Sequence, residues 1–171
     1  MPRTGTRPTA DRVREAVFSA LAARLDFDGL EILDLYAGSG ALGLEALSRG
    51  GAHAVFVEQH HRAAGVIAAN IADLGLGSAA EVRRGAVATV LAGGTDRPAD
   101  LVFADPPYEV PDAEIESMLS ALQTGGWVGP GTVAVVERRA SSATPPWPPI
   151  WSPWPARRYG DTRIDMAEVD A

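Results

Sequence analysis

Cysteine is absent from all 171 residues, which excludes disulfides, thiolate zinc sites, iron–sulfur clusters and a cysteine nucleophile. Lysine is absent too: the 15 basic residues are all arginine and face 22 Asp and Glu, leaving a net charge of −7. Such a chain lacks the overall positive field that coats nucleic acid nonspecifically, but a local patch stays open. The arginines gather at the two ends, at Arg3, Arg7, Arg12 and Arg14, and again at Arg138, Arg139, Arg157, Arg158 and Arg163. No run approaches the roughly 20 apolar residues of a membrane span. The stretch from Met1 to Arg14 is basic and rich in Thr and Pro, without the apolar core of a signal peptide. A cytoplasmic protein with no membrane partner is expected. Histidine is scarce, and His53, His60 and His61 lack ligand spacing, so no metal is expected.

What is present is apolar and ordered. At 46% hydrophobic, the chain suits a single domain spanning 1–171. Within it, 1–29 reads as a basic segment and entry helix, 30–137 as an α/β core, and 138–171 as a Pro/Trp-rich crossing segment with a terminal hairpin. Val13, Ala16, Val17, Ala20 and Leu21 recur at helical spacing, which predicts an amphipathic helix from Thr9 to Arg24 with Thr9 capping its first turn. Strands at 30–35, 53–58, 81–84, 100–104 and 132–137 alternate with helices at 41–49, 62–74, 87–91 and 112–122. That alternation predicts a parallel sheet covered on both faces. The segment 141–155 carries six prolines and three tryptophans, too much proline for a helix. It is expected to run extended, with its tryptophans on the sheet's flank, into a hairpin of 157–159 and 162–169 turned at Gly160 and Asp161. The last strand would be antiparallel.

After the first strand comes Asp34-Leu-Tyr36-Ala37-Gly38-Ser-Gly40-Ala-Leu-Gly43, which contains G-x-G-x-x-G. Alone this suggests any dinucleotide fold. An acid four positions before the first glycine is misplaced beside a pyrophosphate but suits an ammonium group. S-adenosylmethionine has one and carries no phosphate. Gly38 and Gly40 would admit it closely, with the backbone of Tyr36 and Ala37 alongside. Glu58 ends the second strand, where such folds place an acid for ribose hydroxyls. Gln59 follows it and could flank the adenine. At Gly85 and Ala86, ending the third strand, Ala86 offers no side-chain acceptor, so adenine contact there would rest on backbone groups or a neighbouring loop.

Asp105-Pro106-Pro107-Tyr108 follows the fourth strand, in the crevice where ligands of such sheets bind. An exocyclic amino group on a base is a poor nucleophile because its lone pair is delocalised into the ring. Asp105 and the Pro106 carbonyl can accept its two hydrogens and turn the nitrogen toward a sulfonium methyl. Pro107 stiffens the turn, and Tyr108 offers a face on which an extruded base can stack.

With these motifs the sequence resembles the class I methyltransferases, and among them the bacterial RsmD family. The resemblance rests on Arg7-Pro-Thr-Ala-Asp-Arg-Val-Arg-Glu-Ala-Val-Phe18, on Leu33 to Gly50, and on Ala104-Asp-Pro-Pro-Tyr108. It implies a Rossmann-like, seven-stranded, mostly parallel sheet with a reversed last strand and helices on both faces. It also implies methylation of a guanine N2 amino group in 16S rRNA of the small ribosomal subunit or its assembly intermediate, by a monomer. S-adenosylhomocysteine would be the product. Arg7, Thr9 and Arg12 would lie near the cofactor or RNA entrance. Family members usually open with a basic glycine-rich hairpin, whereas six residues precede Arg7 here. Competing readings are an adenine-N6 methyltransferase acting on DNA or RNA, a noncatalytic S-adenosylmethionine-binding or RNA-docking module, and a nicotinamide oxidoreductase.

Overall fold

The structure, a computed structural model, describes residues 8–171, so Arg7 lies outside it, as does the side chain of Thr9. Helix α1 (Pro8–Ala22) starts one residue earlier than the sequence suggests, because proline with its fixed φ is already suited to a first helical turn. The backbone of Thr9 therefore belongs to the helix. Val13, Val17, Phe18 and Leu21 form its buried stripe, each at most 4% exposed. Burying a side chain of this size contributes about 1.5 to 3 kcal/mol.

Strands β1 (Glu31–Leu35), β2 (His53–Glu58), β3 (Ala80–Arg84), β4 (Ala99–Ala104) and β5 (Val128–Arg139) pair in parallel. Helices α2 (Ala41–Ser48), α3 (His61–Asp73), α4 (Val87–Ala92) and α5 (Asp112–Thr124) connect them. Strand β5 begins before the expected Thr132, and a register shift between Ala99 and Leu101 accommodates its Gly-Pro-Gly start. The sheet order is β3-β2-β1-β4-β5-β8-β6, with β8 (Thr162–Val169) antiparallel to β5. The proline-rich segment pairs as well: β6 (Trp151–Pro153) adds to the end of β8, while β7 (Arg157–Tyr159) forms the expected hairpin with its beginning. Both short strands use the edge of β8 that β5 leaves free, so the sheet has eight strands, one more than expected.

The two faces have separate cores. Ile32, Ala54, Phe56, Leu101, Phe103, Val133 and Val135 pack on one face beneath α1, α2 and α3. Leu33, Leu35, Val57, Val102, Ala104, Ala134 and Val136 pack on the other beneath α4 and α5. Trp147 and Trp151 join this second core with rings 5.3 Å apart, while Trp154 turns to the first, under the Arg24 guanidinium. Because side chains alternate along a strand, this division fixes which strand-end residues share a face.

Candidate active site

Continuing the first face to the carboxyl ends of its strands reaches four acids in a row: Glu58 on β2, Asp34 on β1, Asp105 after β4 and Glu137 on β5. The order follows the sheet, and the last register pair, Ala104 with Val136, sets Asp105 opposite Glu137. Neighbouring parallel strands lie about 4.8 Å apart. None of the four bridges to an arginine among the described residues.

The glycine loop is tied to this row. Gly38 and Gly40 adopt left-handed backbone with φ of 61° and 81°. A Cβ on Gly40 would stand 3.2 Å from Ile67 and 3.3 Å from Phe56, so the close approach of loop, α3 and sheet also calls for glycine. Glu58 accepts the Gly38 N–H at 2.8 Å and the His60 N–H at 3.0 Å, one on each oxygen. Each oxygen keeps a second lone pair for a ligand hydroxyl.

Asp34 has a different neighbour from the ammonium expected of it. It is 1% exposed, and its carboxylate accepts the Gly43 N–H at 2.9 Å. Gly40, at the helix N-cap, has no side chain to serve the first turn of α2, so Asp34 caps the helix from the strand below. Burial pushes its pKa well above the carboxylate range; the Gly43 bond opposes this, and the charges of Asp105 and Glu58 add to it.

Asp105 is reached by solvent from the open side of the crevice, yet the protein around it displaces enough water to push its pKa up to about 6. No donor among the described residues bonds to its carboxylate or to the carbonyl of Pro106, which is buried. The motif thus holds two acceptors without a donor among the described residues. Tyr108 is 47% exposed beside them, with the Arg139 guanidinium 4.7 Å from its ring centre. Pro107 stands exposed, and its carbonyl accepts the Val110 N–H, which closes the turn. A cleft of about 830 Å³ between α1 and α2 opens onto Ser39, Asp105 and Glu137. It meets the glycine cradle at one end without coinciding with it; the cradle is the part built from ligand-competent backbone.

Other expected residues fall around this centre. Gly85 donates to the Glu58 carbonyl and Ala86 sits at the N-cap of α4, so both lie beside the cradle without a polar side chain. Gln59 is exposed at its rim. Tyr36 holds a left-handed φ of 55°, but its hydroxyl donates to Glu114 on α5 at 2.8 Å, which leaves only its backbone at the crevice. Arg12 is exposed on α1, whereas Asp11 and Arg14 line the cleft. His53 lies 3.7 Å from Glu31, His60 and His61 are exposed, and no group that could hold a metal occurs among the described residues.

Glu137 is the member that sequence reasoning missed. Burial first, and then the charge of Asp105, raise its pKa to about 7. Arg138, on the opposite face, reads from the sequence only as a surface charge. It is 5% exposed, donates to the Val110 carbonyl at 2.8 Å and lies 3.5 Å from Asp112, so it holds the loop after Tyr108.

The raised pKa of Glu137 fixes a sign. Between its ordinary 4.5 and about 7, the folded chain keeps a proton that the unfolded chain releases, so stability falls as pH rises through that window. Glu137→Gln is therefore expected to match the parent near pH 4 and exceed it at pH 8, by at most about 3 kcal/mol. Thermal melts of the two across that range check it; a difference independent of pH would mean that Glu137 holds no extra proton in the folded chain.

The sheet order and the glycine cradle at strand carboxyl ends define a class I methyltransferase fold. The same architecture occurs in a magnesium protoporphyrin IX methyltransferase from Synechocystis, solved with S-adenosylmethionine, at a TM-score of 0.71 and 17% identity over 95% of this chain and 80% of that one. A family profile described as Conserved hypothetical protein 95 matches residues 1–168, and the chain belongs to that family, the RsmD family. It is 37% identical over 148 residues to the ribosomal RNA small subunit methyltransferase D of Escherichia coli K12, covering 86% of this chain and 72% of the relative. The Haemophilus influenzae protein of the same name is 36% identical over 135 residues, 78% of this chain and 68% of that one. The solved Escherichia coli protein yhhF superposes with a TM-score of 0.85 at 34% identity over 96% and 88% of the two chains.

Proposed function

We propose that this chain transfers a methyl group from S-adenosylmethionine to the exocyclic N2 amino group of a guanine in 16S rRNA. It would act in the cytoplasm as a monomer, on the small subunit or an assembly intermediate. No described helix is long and apolar enough to cross a membrane. The observation that carries the reading is the pair of acceptors without a donor among the described residues, Asp105 and the Pro106 carbonyl, at the centre of a carboxylate row beside the glycine cradle. A row of acids opposes a pyrophosphate and favours a ligand with a sulfonium and an ammonium group. This speaks against the nicotinamide reading. The names of the family relatives support small-subunit rRNA as the substrate.

S-adenosylmethionine, when bound, supplies the methyl group and keeps the electron pair of the broken carbon–sulfur bond. Glu58 offers its remaining lone pairs to the ribose hydroxyls, and Asp34 acts indirectly by fixing the loop against α2. Gln59, Gly85 and Ala86 frame the adenine side of the cradle. Asp105 and Pro106 accept the two amino hydrogens, which localises the nitrogen lone pair toward the methyl carbon. As the new bond forms, the ionised Asp105 carboxylate takes the released proton. Tyr108 carries the extruded base by stacking.

Glu58→Ala is expected to weaken S-adenosylhomocysteine binding by about 1.5 to 3 kcal/mol, the scale of a charge-assisted hydrogen bond. Calorimetry measures it, and unchanged affinity would remove Glu58 from the ribose site. The reaction itself is tested with labelled cofactor and small subunits lacking the modification, followed by nucleoside analysis. N2-methylguanosine is the expected product; N6-methyladenosine would transfer the assignment to adenine.

A further inference from the structure

Arg139 ends β5 on the same face as Glu137, beside the reacting centre. It is exposed, has no carboxylate within 4.0 Å among the described residues, and has the Tyr108 ring as its partner. In a chain of net charge −7, an unneutralised guanidinium at the mouth of a carboxylate-lined crevice calls for an anionic partner from outside.

The register extends the pattern. Arg139 pairs with Thr162 and Thr162 with Tyr159, while Glu137 pairs with Ile164 and Ile164 with Arg157. Directly paired residues share a face, so Arg139, Tyr159 and Arg157 continue the first face beyond Tyr108. Two strand spacings, about 10 Å, separate Arg139 from Tyr159. Arg157 is exposed and free of ion pairs among the described residues, and Tyr159 is half-buried.

We propose that Tyr108, Arg139, Tyr159 and Arg157 form a track that carries the extruded base on Tyr108 and the single-stranded RNA flanking it on Arg139, Tyr159 and Arg157. The inference rests on the base-methylation reading and extends it to the strand that carries the base. Aromatic faces alternating with unpaired guanidinium groups suit unstacked bases and their phosphates; a duplex would hide its bases from the two rings. Arg139 stands over the ring of Tyr108, which remains 47% exposed, and a guanidinium without a carboxylate partner can donate to a phosphate oxygen.

The test is fluorescence anisotropy with a labelled guanine-containing RNA of about ten nucleotides, a length that would occupy the track, over about 20 to 200 mM salt. Arg139→Ala and Arg157→Ala are each expected to weaken binding about 5- to 10-fold at low salt and to lower the salt slope by about 0.7. Arg139→Lys should keep the slope, because the charge remains. All variants should bind S-adenosylhomocysteine as the parent does, since the track lies outside the cradle. Parent-like RNA binding and slope in both alanine variants, or a parent that does not bind the RNA, overturns the track. If the variants lose binding while the parent fails to methylate small subunits, the track stands and the rRNA methylation reading falls.

Discussion

Asp105→Ala is expected to bind S-adenosylhomocysteine with unchanged affinity and to lose methyl transfer by ~100- to 1,000-fold. No donor among the described residues bonds to the carboxylate, which lines the cleft, so on the proposed reading its partner is the substrate amino group. Positive charge grows on that nitrogen as the new bond forms, and an acceptor aimed at it acts most strongly in the transition state. Removing it should also relieve Asp34 and Glu137 of a neighbouring negative charge, so the fold is not expected to suffer. Single-turnover rates at saturating cofactor measure the loss. Near-normal rates would falsify the assignment of this site to amino methylation, whatever the glycine loop binds.

Gly43→Ala should destabilise the fold. A Cβ there would lie 2.5 Å from Phe56 Cε2, 2.9 Å from Cζ and 3.0 Å from the Asp34 carboxylate. Phe56 is fully buried and cannot swing away, so α2 has to move off the sheet. Overpacking of this kind costs about 1 to 3 kcal/mol, and the displaced helix also strains the Asp34 bond to the Gly43 N–H. A lowered melting temperature together with weaker S-adenosylhomocysteine binding is the expected pair of results, because the cradle rides on α2. An unchanged melting temperature would mean that helix and sheet are not packed as closely as the distances state.

The placement of much of this candidate site could be read from the chain because its residues are local. The glycine loop and Asp105-Pro106-Pro107-Tyr108 each sit within one strand-to-loop junction, so residue type and spacing sufficed to place them. Glu137 was not legible in the same way: it ended a strand like any other acid until the β4–β5 register set it opposite Asp105. The position of Asp34 in the sequence points to a ligand it could meet, and nothing in it signals the bond to the Gly43 N–H at a helix end nine residues away. Arg138 and Arg139 are adjacent letters in one basic cluster. Strand alternation sends them to opposite faces, one beneath the loop and one beside Tyr108. Proline density correctly excluded a helix over 141–155, but it carried no signal for the pairing of β6, which depends on the end of β8 beyond the hairpin turn.

The broken strand at that edge has one more effect. An open row of N–H and C=O groups invites a second sheet to add to it. Here the outermost strand has only three residues and ends in Pro153, which has no N–H to offer, and Pro148, Pro149 and Pro155 flank it. At the far side, β3 carries Glu81, Arg83 and Arg84 among its five residues, so a neighbour approaching there meets charge. Both margins thus oppose lateral growth of the sheet into another copy, and the segment least like a strand in composition guards the amino-terminal half of β5, at the end of the sheet away from the carboxylate row.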